Sequence, residues 1–120
     1  MTIRDKPWGY EEILVANGHY TLKYLTLNPY SRISLQYHDE KHETLILISG
    51  EARLTLGNID EYHDIDMEFE VPYEIPPDIV HRITNTRGFQ ACVMEVSTPE
   101  CGVTVRLEDD YGRSDEVFPL

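Results

Sequence analysis

The sequence predicts an all-β fold of the sandwich or barrel class. The dominant hydrophobic period along the chain is two residues, and we find no helical period of useful length. The alternating segments are short and are separated by Gly, Pro, Asn and Asp. About eight or nine such segments at close spacing are typical of sandwiches and barrels. The chain has 120 residues, 41% of them apolar, which is enough for one domain with its own core.

In the first half of the chain we predict four strands. "YTLKYLTL" (20–27) and "RISLQYH" (32–38) alternate between apolar and polar residues. "TLILISG" (44–50) is a continuous apolar run, as expected for a strand that is covered on both faces. "EARLTLG" (51–57) follows directly after Ser49-Gly50, and this dipeptide predicts a tight hairpin.

The second half begins with an acidic segment, 58–66, which we expect to be a solvated loop. "MEFEVP" (67–72) alternates and predicts a strand. "YEIPPDIVHRITNT" (73–86) predicts a turn bracketed by prolines and then a strand. "FQACVMEVS" (89–97) and "GVTVRLEDDYGR" (102–113) predict two more strands.

These elements divide the single domain into an N-terminal arm (about 1–18), a barrel (about 19–113) and a C-terminal tail (114–120) that is either loosely held or docked on a partner. Trp8 is expected to anchor the arm on the barrel. The arm has no apolar signal-peptide core, and no run of the chain is long enough to span a bilayer. We therefore expect a cytoplasmic protein without a membrane partner.

The charge and the cysteines narrow the function further. The formal net charge is -12, which argues against non-specific binding to nucleic acid or to anionic membranes. Cys92 and Cys101 form no motif, and we expect both to be free thiols.

Polar residues cluster in front of the apolar run at 44–50. Gln36 and His38 are two residues apart on one strand, so they share a face. Glu43 begins the next strand, and His81 opens a strand far along the chain. Two imidazoles, a carboxylate and an amide oxygen suit a divalent metal ion such as Zn, Mn, Fe, Co or Ni. A polar cluster without metal is the alternative.

The spacing of these residues resembles the two motifs of the cupin superfamily. The first motif, H-x4-E-x6-G, is matched by His38, Glu43 and Gly50. The second, P-x-D-x2-H-x3-N, is matched by Pro76, Asp78, His81 and Asn85, with Asp78 where glycine is usual. The resemblance implies a double-stranded β-helix, the cupin jelly roll.

Within the cupins, the set Gln36, His38, Glu43 and His81 is similar to the metal site of phosphomannose isomerases. The segments 6–14, 32–38 and 105–113 resemble the isomerase domain that ends the bifunctional, type II mannose-6-phosphate isomerase/mannose-1-phosphate guanylyltransferases. This resemblance implies one divalent metal, zinc first, a sugar-phosphate substrate, an aldose-ketose isomerisation, and a homodimer. The 120 residues hold no counterpart of the guanylyltransferase domain, so we expect no mannose activation by this sequence.

The sequence also departs from the type II pattern. Asp39, Glu40, Thr44 and Leu45 stand where the family has a histidine-rich run and a His-Trp pair, and His42 stands where a small residue is usual. These replacements imply that the pocket can hold a different sugar.

The resemblance places the Arg-x-Glu step, Arg106 and Glu108, in the active site. Parity puts both side chains on one face of the last strand together with Thr104. We assign Glu108 the proton shuttle, and Arg106 the phosphate or the developing oxyanion. A surface ion pair is the alternative.

Other polar residues are weighed as contacts to substrate or as surface residues. The candidate substrate contacts are Lys41, His42 and Arg113. The expected surface residues are His19, Arg53, His63 and Arg82.

Three classes of function compete: a sugar-phosphate isomerase, another metal-dependent cupin enzyme such as an oxygenase or nucleotide-sugar epimerase, and a non-catalytic cupin that binds a sugar or a partner. The Gln36 ligand and the "RLED" segment count against the oxygenase.

Overall fold

The computed structural model describes residues 1–118, which form twelve β-strands. The strands of the first half are β1 (Thr2–Lys6), β2 (Gly9–Ala16), β3 (Thr21–Leu27), β4 (Leu35–His38), β5 (Glu43–Ser49) and β6 (Arg53–Gly57). Those of the second half are β7 (Tyr62–Asp66), β8 (Pro72–Ile75), β9 (Val80–Thr84), β10 (Ala91–Ser97), β11 (Val103–Glu108) and β12 (Glu116–Val117). The prediction of an all-β fold is confirmed for the described residues.

The strands form two six-stranded sheets in which all neighbours are antiparallel. The first sheet has the order β1-β2-β3-β10-β5-β8, and the second has the order β12-β11-β4-β9-β6-β7. Within residues 1–118 no helix is long and apolar enough to cross a membrane.

The inward face of the first sheet is apolar along most of its length and charged at one end. The buried side chains at alternating positions are Lys23, Leu25 and Leu27 on β3, Glu43, Leu45 and Leu47 on β5, and Ala91, Val93 and Glu95 on β10. The leucines and Val93 belong to the core with Leu54, Ile75 and Ile83. The three charged residues stand at the same end of their strands, because Glu95 is paired with Lys23, and Ser97 with Glu43.

Ser49-Gly50 does not make the predicted hairpin, because β5 and β6 belong to different sheets. The turn instead carries the chain from one sheet to the other. Gly50 has φ 76°, and a Cβ there would lie 2.6 Å from the carbonyl oxygen of Gln90. The turn therefore requires glycine for its conformation and for the close approach of the backbone.

Both ends of the chain join the sheets. The predicted arm contains β1 and β2, which extend the first sheet beside β3. Trp8 is 5% exposed and packs in the core, as expected of an anchor. In the predicted tail, β12 pairs with β11, while Pro119 and Leu120 lie outside the described residues.

Two predictions between β6 and β9 were wrong. The acidic segment expected to be a loop contains β7, an exposed edge strand that pairs with β6. In the segment predicted as a strand at 67–72, regular pairing begins only at Pro72. Glu70 has φ 63°, a left-handed conformation that interrupts an extended strand.

Candidate metal centre and adjoining pocket

His38, Glu43 and His81 converge between the two sheets, on β4, β5 and β9. One potential ligand atom from each residue lies within 4.8 Å of the others, and all three residues are buried. Glu43 Oε1 is 2.9 Å from His81 Nε2 and 3.8 Å from His38 Nε2. The predicted convergence of two histidines and a carboxylate from distant segments is what the folded chain shows.

The second nitrogen of each imidazole is held by a neighbouring group. His38 Nδ1 lies 2.8 Å from Thr104 Oγ1 on β11, and His81 Nδ1 donates to the backbone oxygen of Ile79 at 3.0 Å. Both Nε2 atoms are thereby directed at Glu43. His38 Nε2 is buried and has no hydrogen-bond partner among residues 1–118. Histidines held this way at one nitrogen are typical of metal ligands.

Gln36 lies beside this group on the inward face of β4. Its Nε2 is 3.5 Å from His81 Nε2, and its Oε1 is 2.7 Å from Ser34 Oγ. A half-turn of the amide would direct Oε1 at the group, and the Ser34 hydroxyl can serve either amide atom as donor or acceptor. Gln36 therefore fits the role of a fourth ligand.

The charge states of the group follow from burial and from mutual contact. Burial lowers the pKa of His38 to about 3, which keeps this imidazole neutral. Burial also opposes charge on His81, but Glu43 more than offsets this and raises the pKa of His81. Burial raises the pKa of Glu43, whereas Lys41 and His81 hold it well below the ordinary range. Glu43 is therefore a carboxylate, the form that binds cations.

The donor set fits a divalent metal ion. His38, Glu43 and His81 offer two imidazole nitrogens and a carboxylate oxygen to one point, which is the chemistry of Zn, Mn, Fe, Co or Ni sites. The buried, unpartnered His38 Nε2 gives an independent reason, because a buried polar atom without a partner is unfavourable. The His38–Glu43–His81 group could thus hold a metal ion.

A buried network of lysines and carboxylates adjoins the group. Lys41 Nζ lies 3.0 Å from Glu95 Oε2 and 3.4 Å from Glu43 Oε2. Lys23 Nζ contacts Glu100 at 2.6 Å and Glu11 at 3.4 Å. Burial raises the pKa of Glu95, although Lys41 and Lys23 oppose this shift.

The network opens into a cavity of about 90 Å³ that is rich in cations. Six of the ten lysines and arginines in the chain line it: Arg4, Lys6, Lys23, Lys41, Arg106 and Arg113. Five glutamates line it as well, Glu11, Glu43, Glu95, Glu100 and Glu116, so its formal charge is close to neutral in a chain of net charge -12. An anionic ligand would therefore meet less repulsion in the cavity than over the chain as a whole.

Two of the three arginines that line the cavity, Arg106 and Arg113, already form hydrogen bonds within the protein. Arg106 donates to the backbone oxygen of Ser114 at 2.6 Å and to Glu116 at 3.2 Å. Arg113 makes two hydrogen bonds of 3.0 Å to the carboxylate of Asp109, whose pKa this contact lowers.

The expectation that Glu108 shares a face with Arg106 was wrong. A bulge between the two residues shifts the register of β11 against β4, so that the alternation is broken. Glu108 lines a separate depression with Arg32 and Arg53, and its carboxylate accepts hydrogen bonds from Arg82 and Arg32. The structure does not bring Glu108 to the metal-ligand group.

Arg82 was predicted to be a surface residue, and this prediction was wrong, because Arg82 is only 5% exposed. Its guanidinium donates to the backbone oxygen of Ile33 and to Glu108. His42 points away from the cavity and contacts Glu74 at 3.1 Å, with 44% of its side chain exposed. The remaining surface assignments, His19, Arg53 and His63, are confirmed, and Cys92 and Cys101 are free.

Thr104 was not predicted as the partner of His38, and neither Lys23 nor Glu95 was predicted to belong to the site. The sequence did contain a signal for Lys23 and Glu95. In "TLKYLTL" and "ACVMEVS" a charged residue occupies a position in phase with buried apolar residues. Such a position predicts either a buried ion pair or a site.

The family model described as mannose-6-phosphate isomerase C-terminal matches residues 2–116. The chain is 32% identical over 114 residues to the alginate biosynthesis protein AlgA of Pseudomonas aeruginosa, covering 92% of this chain and 23% of AlgA. It is 31% identical over 112 residues to the xanthan biosynthesis protein XanB of Xanthomonas campestris pv. campestris (strain B100), covering 91% of this chain and 23% of XanB. The chain thus spans about a quarter of the length of these curated relatives.

Solved structures share the fold at low identity. The capsular polysaccharide assembling protein CapF of Staphylococcus aureus superimposes with a TM-score of 0.76 at 11% identity, covering 99% of this chain and 34% of CapF. The oxalate decarboxylase of Bacillus subtilis, a protein with Mn(II) centres, superimposes with a TM-score of 0.75 at 18% identity, covering 89% of this chain and 30% of that chain. These likenesses confirm the predicted jelly-roll fold.

Proposed function

We propose a metal-dependent sugar-phosphate isomerase activity for this chain, which belongs to the mannose-6-phosphate isomerase C-terminal family. The proposed reaction interconverts an aldose phosphate of the mannose 6-phosphate type and its ketose isomer. The chain is also proposed to act as a homodimer, as the resemblance implies, and to be cytoplasmic.

One observation carries the proposal: the buried His38–Glu43–His81 group adjoins a cavity lined by six of the chain's ten cationic residues. A metal-ligand group beside lysines and arginines, even though five glutamates share the lining, suits a substrate that has a carbonyl at one end and a phosphate at the other. The ligands would be Gln36, His38, Glu43 and His81.

The reaction moves a proton between C1 and C2 of the sugar, and the difficult step is the removal of a proton beside a carbonyl. A bound divalent cation supplies Lewis-acid stabilisation of the negative charge on the sugar oxygens. Arg106 holds the phosphate or neutralises developing charge, and Lys41 and Arg113 are further cationic contacts from the cavity lining. His42, which points to Glu74, has no part in this arrangement.

The proton carrier in this proposal is Glu95 rather than Glu108. Glu95 is buried, lines the cavity and is free of metal ligation, whereas Glu108 lies outside the cavity. Burial raises the pKa of Glu95, so that its ionised carboxylate is a stronger base than an exposed one. Lys41, 3.0 Å away, orients the carboxylate.

The metal is tested by elemental analysis of the purified wild type, His81→Ala and His63→Ala. The exposed His63 is the matched control. We expect one metal ion per chain in the wild type and the control, and none in His81→Ala. Absence of metal from the wild type after reconstitution would contradict the proposal.

The activity is tested with mannose 6-phosphate by following the ketose product. We expect turnover by the metal-loaded wild type and a loss of at least about 100-fold in Glu95→Gln with the metal retained, a typical effect of removing a general base. Full activity of Glu95→Gln would remove Glu95 from the mechanism.

A non-catalytic sugar-binding cupin is the second candidate, favoured by the engagement of Arg106 with Glu116. The same preparations separate the two functions. A metal-loaded wild type that is thermally stabilised by mannose 6-phosphate but shows no turnover would support the binding function.

A further inference from the structure

We infer that the C-terminal strap, residues 114–118, occupies the anion-binding end of the cavity, and that a phosphate group enters by displacing the Glu116 carboxylate from Arg106. The inference rests on the proposed function, because it identifies where the phosphate of the substrate is bound and what occupies that place beforehand.

The strap is attached to the cavity wall mainly through Arg106. The guanidinium donates to the Ser114 backbone oxygen and to the Glu116 carboxylate, and the Arg106 backbone nitrogen donates to Asp115 at 2.8 Å. The carboxylate of Glu116 therefore stands where an external anion would meet this arginine. The Glu116 carboxylate accepts from Arg106 the same kind of hydrogen bond that a phosphate oxygen would accept.

One nitrogen of the guanidinium is left without a partner in the described part of the chain. Arg106 Nε is buried and has no hydrogen-bond partner among residues 1–118, and the side chain as a whole is 11% exposed. Glu116 and Ser114 thus leave the arginine incompletely satisfied. A phosphate, with three acceptor oxygens, can use Nε together with the donor released by Glu116.

The strap also narrows the cavity. Glu116 and Phe118 both line it, and its volume of about 90 Å³ is below the roughly 300–1,000 Å³ of common small-molecule sites. A hexose phosphate therefore requires the cavity to widen, and the strap is one of its walls. Its strand, β12, has only two residues, at the edge of the second sheet.

Its attachment beyond Arg106 is slight. Phe118 N donates to the Gly102 backbone oxygen at 2.9 Å, and β12 pairs with Val103 and Thr104. Short edge pairings of this kind open at low free-energy cost. Displacement of the strap would leave the metal-ligand group intact, because none of its residues is a metal ligand.

The test is the affinity of the metal-loaded protein for inorganic phosphate, measured by calorimetry for the wild type, Glu116→Gln, Phe118→Ala and Glu51→Gln. Glu51 is exposed and lies outside the cavity, so Glu51→Gln controls for the loss of one negative charge. We expect Glu116→Gln to bind phosphate about two- to fivefold more tightly than the wild type, the size expected for removing one partly exposed ion pair. Phe118→Ala should tighten binding without a change in charge, and Glu51→Gln should match the wild type.

Hydrogen exchange gives a direct measure of displacement. If the strap leaves the wall, phosphate should speed exchange of the Phe118 amide in the wild type while slowing none of the strap amides. Equal affinities in all four proteins, no phosphate binding in any of them, or protection of the Phe118 amide by phosphate would each overturn the inference. These measurements need no turnover, so an inactive protein that binds phosphate in this pattern would refute the isomerase function and leave the strap inference standing.

Discussion

Thr104 Oγ1 lies 2.8 Å from His38 Nδ1, in a contact between β11 and β4 that is buried from solvent. This hydroxyl fixes the ring so that His38 Nε2 is directed at Glu43. Thr104→Val keeps the shape of the side chain and removes the hydrogen bond. We expect metal affinity to fall by about 10–100-fold, the usual effect of losing a group that orients a ligand.

The measurement for Thr104→Val is a competition titration with a metal chelator, and the matched control is Thr44→Val. Thr44 is a half-buried threonine on β5 that does not line the cavity. Unchanged metal affinity in Thr104→Val would show that the hydroxyl does not orient His38, and it would weaken the case for a metal at this group.

The ion pair between Arg82 and Glu108 predicts a pH-dependent stability. The hydrogen bond from Arg82 lowers the pKa of Glu108 below its ordinary value of 4.5. A carboxylate with a lowered pKa stabilises the folded state at pH values above 4.5, and this stabilisation is lost as the pH falls through the folded-state pKa. Because the Glu108 side chain is 53% exposed, we expect a contribution of only about 0.5–1 kcal/mol.

Urea denaturation of the wild type and Glu108→Gln at several pH values measures the contribution of this ion pair to stability. The wild type should be more stable at pH 7, and the difference should shrink below pH 4.5. Glu108→Gln should also retain the full metal content, since Glu108 lies outside the cavity. Metal loss in Glu108→Gln would contradict the position that the structure gives to this residue.

The contrast between His38 and Glu108 shows what the sequence could predict. Alternation correctly placed Gln36 and His38 on one face, because β4 is regular between them. The same argument failed for Arg106 and Glu108, because the bulge in β11 adds a residue that no local pattern announces. The motif predicted the position of Asp78 but not its residue type. Asp78 has φ 69°, a left-handed conformation that favours glycine, and this explains why the motif usually has glycine there.

The strands also divide into those that a local sequence pattern predicts and those that it does not. The strands with strong apolar alternation, such as β3 and β10, were predicted, whereas β1, β2, β7, β8 and β12 were missed. All of these except β2 lie at sheet edges, and the mostly exposed side chains of β1 and β7 leave little hydrophobic pattern. The partners of each strand were not predictable from the turns, since Ser49-Gly50 connects two sheets rather than two paired strands.

The turn at Gly50 gives a prediction with an internal control. Gly50 and Gly18 have similar φ values, 76° and 83°, but a Cβ at Gly50 would also lie 2.8 Å from Ala91 Cα, whereas a Cβ at Gly18 meets nothing within 4 Å. Gly18→Ala should therefore cost only the conformational strain, about 1–2 kcal/mol. Gly50→Ala should cost at least about 2 kcal/mol more, because the backbone must move.

Chemical denaturation of both glycine variants measures the two costs. Equal losses of unfolding free energy would mean that the contact with Gln90 and Ala91 relaxes without cost. A larger loss in Gly50→Ala would confirm that close approach of the backbone, and not φ alone, requires glycine at this position.

The contact of Lys41 with Glu95 and Glu43 predicts strong coupling within the buried network. Lys41→Met removes the cation and leaves two buried carboxylates without it, since Lys41 Nζ lies 3.0 and 3.4 Å from them. We expect a loss of about 3–5 kcal/mol in unfolding free energy, as in other buried ion pairs that lose one member. Glu95→Gln in the same chain removes one of the two buried carboxylates that have lost Lys41, so the double variant should be more stable than Lys41→Met alone.

A double-mutant cycle on Lys41 and Glu95 measures this coupling, with denaturation followed at pH 7 in the presence of chelator so that metal binding does not contribute. If the losses of unfolding free energy in the two single variants simply add in the double variant, solvent screens the Lys41–Glu95 pair and the network is open to water. Coupling of about 1 kcal/mol or more would instead show that Lys41 holds the Glu95 carboxylate in place. The same contact would then position the proposed proton carrier beside the metal-ligand group.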